Sequence, residues 1–141
     1  SNLRLSTEQI FSDLIPQGKA DLIISMEPME ALRYVPYLNK DGWVVSSSES
    51  FINIPNYPEQ EPLLKELRNF PHVATSDIEQ MAKDNQMPKS ANVILLGMAA
   101  PYIEILSADQ LRHAIKVVFG RKGEAVVEAN LKAFDLGFNA I

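Results

Sequence analysis

The chain has 141 residues, of which 46% are apolar and 22% charged, with a net charge of -5. That is one domain's worth of sequence with enough apolar matter for a core, and its isoelectric point near 5.0 argues against a binder of phosphate backbones. The cysteine count is zero, which excludes a conventional iron–sulfur cluster, a disulfide, thiol catalysis and a Cys-based zinc site on this chain.

Leu3-Arg4-Leu5-Ser6 alternates apolar and polar residues and reads as a short strand. With no initiator Met before it, the expectation is that the native protein starts earlier. No apolar run approaches the roughly 20 residues that cross a bilayer, and no secretory leader pattern is present, so a cytoplasmic location is expected.

Ala20 to Ser25 (ADLIIS) is an apolar run that suits a strand buried on both faces of a parallel sheet. Pro28 fits a first helical turn, and Glu27 and Glu30 favour the same helix N-terminus. The helix is expected to run to about Leu38, with Met29, Leu32 and Tyr34 or Val35 inward and Pro36 kinking or ending it. Asn39-Lys40-Asp41-Gly42 reads as a turn, followed by a strand from Gly42 to Ser48. Strand, helix and strand in so short a span make a βαβ unit with a right-handed crossover. The fold class is therefore α/β.

Ser50 to Glu61 mixes prolines and asparagines and reads as an irregular loop or edge segment. Pro62 to Phe70 is expected to be a short amphipathic helix, and His72 to Thr75 a short strand. Ser76 and Glu79 have capping-box spacing for a helix ending near Asn85. Ala91 to Ile103 is strongly apolar and contains Gly97 and Pro101. Ser107 and Gln110 form a second capping box, with Leu111, Ile115 and Val118 as the buried stripe and Gly120 ending the helix. Val127, Leu131 and Phe134 mark a last buried stripe, ended by Gly137.

Candidates for chemistry are thin. His72 and His113 have no visible nucleophile or orienting carboxylate. Glu27 and Glu30 could form a carboxylate pair on one helical face, but helix-dipole complementarity needs only the same residues and is the preferred reading. Ser46-Ser47-Ser48 ends a strand, where ligands of open α/β sheets sit, although a polar strand end needs only the same residues. The turn Gly120-Arg121-Lys122-Gly123 could hold a phosphate, although cations near a helix C-terminus are also a stabilising arrangement.

The segment ADLIISMEPMEALRYVPYLNKDGWVVSSS resembles the centre of the gamma subunit or domain of the pyruvate/2-oxoacid:ferredoxin oxidoreductase family. The likeness rests on Ala20, Asp21, Glu27, Glu30-Ala31-Leu32-Arg33-Tyr34 and Gly42. Ser90-Ala91-Asn92-Val93 with Leu96-Gly97-Met98 also agrees, as does KGEAVVEANLKAFDLG from Lys122 to Gly137. The C-terminal block is most similar to the beta subunit of indolepyruvate oxidoreductases.

The resemblance implies a three-layer, Rossmann-like, mostly parallel sheet with helices on both faces, in a single domain lacking the family's N-terminal Gly-rich strand–loop–helix. It implies a non-catalytic subunit in which thiamine diphosphate and iron–sulfur clusters belong to a large partner subunit and ferredoxin takes the electrons. No catalytic residue and no metal ligand is assigned. Glu27, Asn92, Gly97, Arg121 and Lys122 become candidates for contact with coenzyme A or the large subunit. Asn92 and Gly97 have a competing structural reading, as a backbone cap and a close-packing glycine, and that reading is preferred. Isolated from its partner, the chain is expected to form homodimers. The alternative is a stand-alone nucleotide- or coenzyme A-binding module using Ser46 to Ser48.

Overall fold

The apolar run at Ala20–Ser25 is strand β1, and it is followed by helix α1, Pro28–Tyr34. The structure, a computed structural model, describes residues 1–48 and 59–140. Strand β2 is Leu38–Ser47, helix α2 Gln60–Arg68 and strand β3 Val73–Ser76. Four helices complete the chain: α3 Ile78–Asp84, α4 Ala91–Ala99, α5 Ala108–Phe119 and α6 Glu124–Phe138. The strands form one parallel sheet in the order β1-β2-β3, so the fold is α/β and Rossmann-like, as expected.

Adjacent residues of β2 build the two sides of the molecule. Val44 packs with Ala31 and Leu67 under α1 and α2. Val45 turns to the opposite face and joins Ala74, Ile94, Met98 and Phe134 in the main core, as the period of two along a strand requires. The result is three layers: α1 and α2, then the sheet, then the helices that follow β3. The segment expected to be irregular, Ser50 to Glu61, lies largely outside the described residues, and Gln60 and Glu61 open α2.

Several expectations are corrected. Leu3 to Ser6 forms no strand, and residues 1–17 hold no regular element. An extended segment needs a neighbouring ladder for its N–H and C=O groups, whereas this one is tied by side chains: Arg4 Nη1 donates to the carbonyls of Ser12 at 2.6 Å and Leu14 at 3.4 Å. β1 is not buried on both faces. Ile24 is 43% exposed, because β1 is an edge strand that pairs only with β2 among the described residues. α1 ends at Tyr34 in a short 3-10 turn over Val35–Tyr37 around Pro36, and Tyr34 faces solvent.

The expected turn at Asn39 to Gly42 lies inside β2 as a bulge. Ala20 faces Leu38 and Leu22 faces Trp43, so two steps on β1 oppose five on β2. The extra residues loop out with Asn39 Nδ2 donating to Asp21 at 2.6 Å and the Asp41 N–H donating to Asn39 Oδ1 at 2.8 Å. Turn residues and strand residues were both legible there, and a bulge satisfies both.

The helix caps shift as well. Asp77 caps α3, accepting from the Gln80 N–H at 2.9 Å, because Ser76 stays in β3 with its carbonyl taken by the Ser48 N–H at 2.9 Å. The capping box of Ser107 and Gln110 is present in full. Gly120 follows α5 in right-handed geometry and begins a 3-10 turn, Gly120–Lys122, and the left-handed φ of +102° falls at Gly123. Val118 is 69% exposed while Leu111 and Ile115 are buried. A drift of about 20° per heptad carries the seventh residue away from the line of a stripe, and Val118 falls outside the buried face.

Gly137 does not end α6, which runs on to Phe138. A Cβ at Gly137 would collide with the Ile94 carbonyl oxygen, and one at Gly97 with the Phe134 carbonyl oxygen. The two contacts are reciprocal. As residue number rises along α4 it falls along α6, so these helices run antiparallel with their backbones in contact.

Gly97→Ala and Gly137→Ala should each cost about 3 kcal/mol, the upper end for overpacking, since backbone must move. Gly120→Ala, with open space around it and φ of -56°, should instead gain about 0.5–1 kcal/mol. Urea midpoints at constant m-value measure all three. Unchanged midpoints for the first two would mean that the helices separate freely.

Candidate functional site at the strand ends and helix termini

Parallel strands deliver their C-terminal ends to one rim. Here the register sets Ser25 beside Ser46, Ser46 beside Thr75 and Ser47 beside Ser76, a row of hydroxyls at the place where open α/β sheets bind ligands. Most of these groups point inward. Ser46 and Ser47 are fully buried, and Ser46 Oγ donates to the Ser47 carbonyl at 2.9 Å. Ser25 Oγ donates to the Glu27 carbonyl at 2.6 Å and accepts from the Glu27 N–H at 3.2 Å. A ligand at this rim would meet Ser48 before any other serine of the triplet.

Glu27 is the N-cap of α1 in an extended conformation. Its carboxylate accepts from the Glu30 N–H at 2.8 Å and the Met29 N–H at 3.4 Å. Two otherwise orphaned donors are satisfied in this way, with negative charge at the positive end of the helix. Glu30 does not join Glu27 in a carboxylate pair; it forms an ion pair with Arg33 at 2.9 Å.

The other candidates lie elsewhere. Asn92 is exposed in the first turn of α4, its Oδ1 accepting from the Val93 N–H at 3.0 Å. Gly97 is buried between α4 and α6, which leaves it no surface to offer a ligand. Arg121 and Lys122 are both exposed in the 3-10 turn after α5, with Lys122 Nζ 5.8 Å from the centre of the Phe119 ring. The five residues therefore occupy three separate places: the β1–α1 junction, α4, and the end of α5.

His72 stacks on Trp43, 5.0 Å between ring centres, and Trp43 stacks on Tyr102 at 3.9 Å. This aromatic group was missed in the sequence because its members are far apart along the chain. His113 is exposed on α5. A groove of about 360 Å³ runs along the free edge of β1, lined by Leu14, Ile15, Ile23, Ile24, Tyr34 and Tyr37 among others. It too had no local signal, since it depends on which strand is at the edge. Arg112 bonds Asp135 at 2.8 Å and Asp109 at 2.9 Å. The hydrogen bond to Asp135, opposed by partial burial, raises its guanidinium above the usual arginine range.

The donor set does not fit a conventional iron–sulfur cluster, because the chain holds no cysteine. Among the described residues, no three His, Asp or Glu side chains gather as metal ligands, and no helix is long and apolar enough to cross a membrane.

Residues 1–140 match the family of pyruvate ferredoxin/flavodoxin oxidoreductases. The chain belongs to that family. It is 32% identical over 134 residues to the indolepyruvate oxidoreductase subunit IorB of Archaeoglobus fulgidus, covering 89% of this chain and 65% of that relative. The subunits of the same name from Pyrococcus horikoshii and Thermococcus kodakarensis are 33% and 31% identical over 143 residues, covering 94% of this chain and 69% of each. The chain thus spans about two thirds of the length of these relatives.

Replacing Glu27 with Ala should lower stability by about 1 kcal/mol, the usual cost of a lost cap. Glu27→Gln keeps an acceptor and should retain most of that stability. Chemical denaturation of the three proteins decides the matter, and equal midpoints would remove Glu27 from the capping role.

Proposed function

We propose that this chain is all or part of the small, non-catalytic subunit of a 2-oxoacid:ferredoxin oxidoreductase of the indolepyruvate type. The observation that carries the reading is the match of nearly the whole chain to subunits of that name. The complex would oxidatively decarboxylate an aryl 2-oxoacid. Coenzyme A would accept the acyl group and ferredoxin the electrons. Thiamine diphosphate and the iron–sulfur clusters would reside on a larger partner subunit and supply the redox chemistry. A chain without cysteine agrees with that division of labour.

On this reading the chain's own contribution is structural. Glu27 and Asn92 would lie near the partner or the coenzyme A path, and Gly97 would serve by holding α4 against α6. Arg121 and Lys122 are the candidates for the coenzyme's phosphates, being adjacent, exposed cations on one turn.

The test is to tag the natural full-length form in its host and purify it anaerobically. A brown, thiamine-containing partner in stoichiometric amount, reducing ferredoxin with indolepyruvate, is the expected result. A colourless protein that elutes alone would overturn the reading. In the assembled complex, Arg121→Glu with Lys122→Glu should raise the KM for coenzyme A roughly threefold to tenfold, the scale of two exposed ion pairs. Unchanged kinetics would remove both residues from the site.

Without its partner, the chain would pair with a second copy to cover the apolar side chains of its N-terminal segment, where Leu3 is 76% and Phe11 88% exposed. Sedimentation at micromolar concentration should show a dimer, and a monomer throughout would refute this pairing.

A further inference from the structure

α5 is held to the molecule by little. α4 buries seven of its nine residues and α5 two of its twelve, Leu111 and Ile115. Apolar burial is the main force that fixes an element in place, so α5 is the more weakly seated of the two. α6 lies between these extremes, kept in position by its backbone contact with α4 and by fully buried Phe134.

The polar contacts at the ends of α5 are internal. Its capping box joins Ser107 and Gln110 at 2.8 and 3.1 Å, so the cap travels with the helix. At the other end the Gly123 N–H donates to the Gly120 carbonyl at 3.3 Å, inside its own turn. Gly123 has φ of +102° and open space where a Cβ would stand, so the chain can change direction there without a clash. Rotation at such an element end is how hinges work.

One side chain opposes that freedom. Among the described residues, Arg112 forms the one ion pair between α5 and another helix, its Nε donating to Asp135 at 2.8 Å. Its guanidinium also lies 5.3 Å from the centres of both the Phe134 and the Phe138 ring. The Arg112 side chain is only 29% exposed, so water competes for this pair less than for one on an open surface. Asp109 holds the same guanidinium at 2.9 Å from within α5.

The geometry points to α5 as a unit that opens while the rest of the fold stays shut, with Arg112 as its latch on α6. Opening uncovers Leu111 and Ile115 and leaves the contacts of Val45, Ile94 and Phe134 in place. Units with few buried contacts open in this way well below the free energy of global unfolding. The turn Gly120–Lys122 joins α5 to α6, so each opening also displaces Arg121 and Lys122. On the function proposed above, Arg112 is therefore a positioning residue for both cations. That consequence depends on the proposed function, whereas the opening does not.

Hydrogen exchange of the folded chain, read amide by amide and corrected for intrinsic rates, tests the unit without reference to activity. Amides 113–119 of α5 should exchange at least about tenfold faster than amides 95–99 of α4 and 134–138 of α6. Arg112→Gln should speed the α5 amides by a further factor of about ten, the scale of a charge-assisted hydrogen bond, and leave those of α4 unchanged. Asp135→Asn should reproduce that selective effect from the other side of the latch. Arg112→Lys, which keeps the charge but not the planar fork, should retain part of the protection. Equal protection of α5 and α4 in the unaltered chain would overturn the proposal. A uniform rise across all helices in the variants would overturn it too, since that is global destabilisation with no separate unit.

Discussion

Most of this molecule depends on one contact: two helices whose backbones touch. α4 is apolar nearly all round, with Val93, Ile94, Leu95, Met98 and Ala99 buried, the pattern of a helix enclosed on every side. The sheet covers one side of it through Val45 and Ala74, and α6 covers another. Gly97 and Gly137 remove the two Cβ atoms that would keep α4 and α6 apart. Phe134 then reaches the core and is fully buried. α5 follows from α6, because Arg112 bonds Asp135 and lies 5.3 Å from both the Phe134 and Phe138 ring centres. A methyl group in the wrong place between α4 and α6 would therefore displace a helix that neither glycine touches.

That chain of dependence changes the meaning of the matched blocks. Three of the five candidate positions carry structural duties visible in the geometry. Glu27 caps α1, Asn92 bonds the backbone of the first turn of α4, and Gly97 permits the α4–α6 contact. Residues that recur in a family pattern need not touch a ligand, since the fold imposes requirements of its own. Arg121 and Lys122 differ from these three, being exposed on a turn that does not need their side chains to form.

What could be read directly from the sequence was local. The βαβ unit, the Ser107–Gln110 capping box and the buried positions Leu111, Ile115 and Phe134 follow from periodicity and cap chemistry within a few residues. What could not be read was relational. Ile24 looks like a core residue until β1 is known to be the sheet edge. Gly137 looks like a helix stop until Ile94 is known to lie against it. Asn39 to Gly42 looks like a turn, and becomes a bulge because β2 must stay in register with β1 on both sides of it. The candidate site suffers most from this limit. Its members lie in three places, and no local pattern reports which exposed stripe faces a partner.

The stack of Trp43 with His72 and Tyr102 has a practical side. Trp43 is the only tryptophan in the chain, and it brings together β2, the approach to β3 and the turn after α4. Those three residues are far apart in sequence, so the stack forms only when long-range packing forms. The protein therefore carries its own optical gauge: indole emission will follow the docking of α4 onto the sheet and ignore the fraying of isolated helices. Any variant that loosens the core at a distance becomes visible by fluorescence without a label.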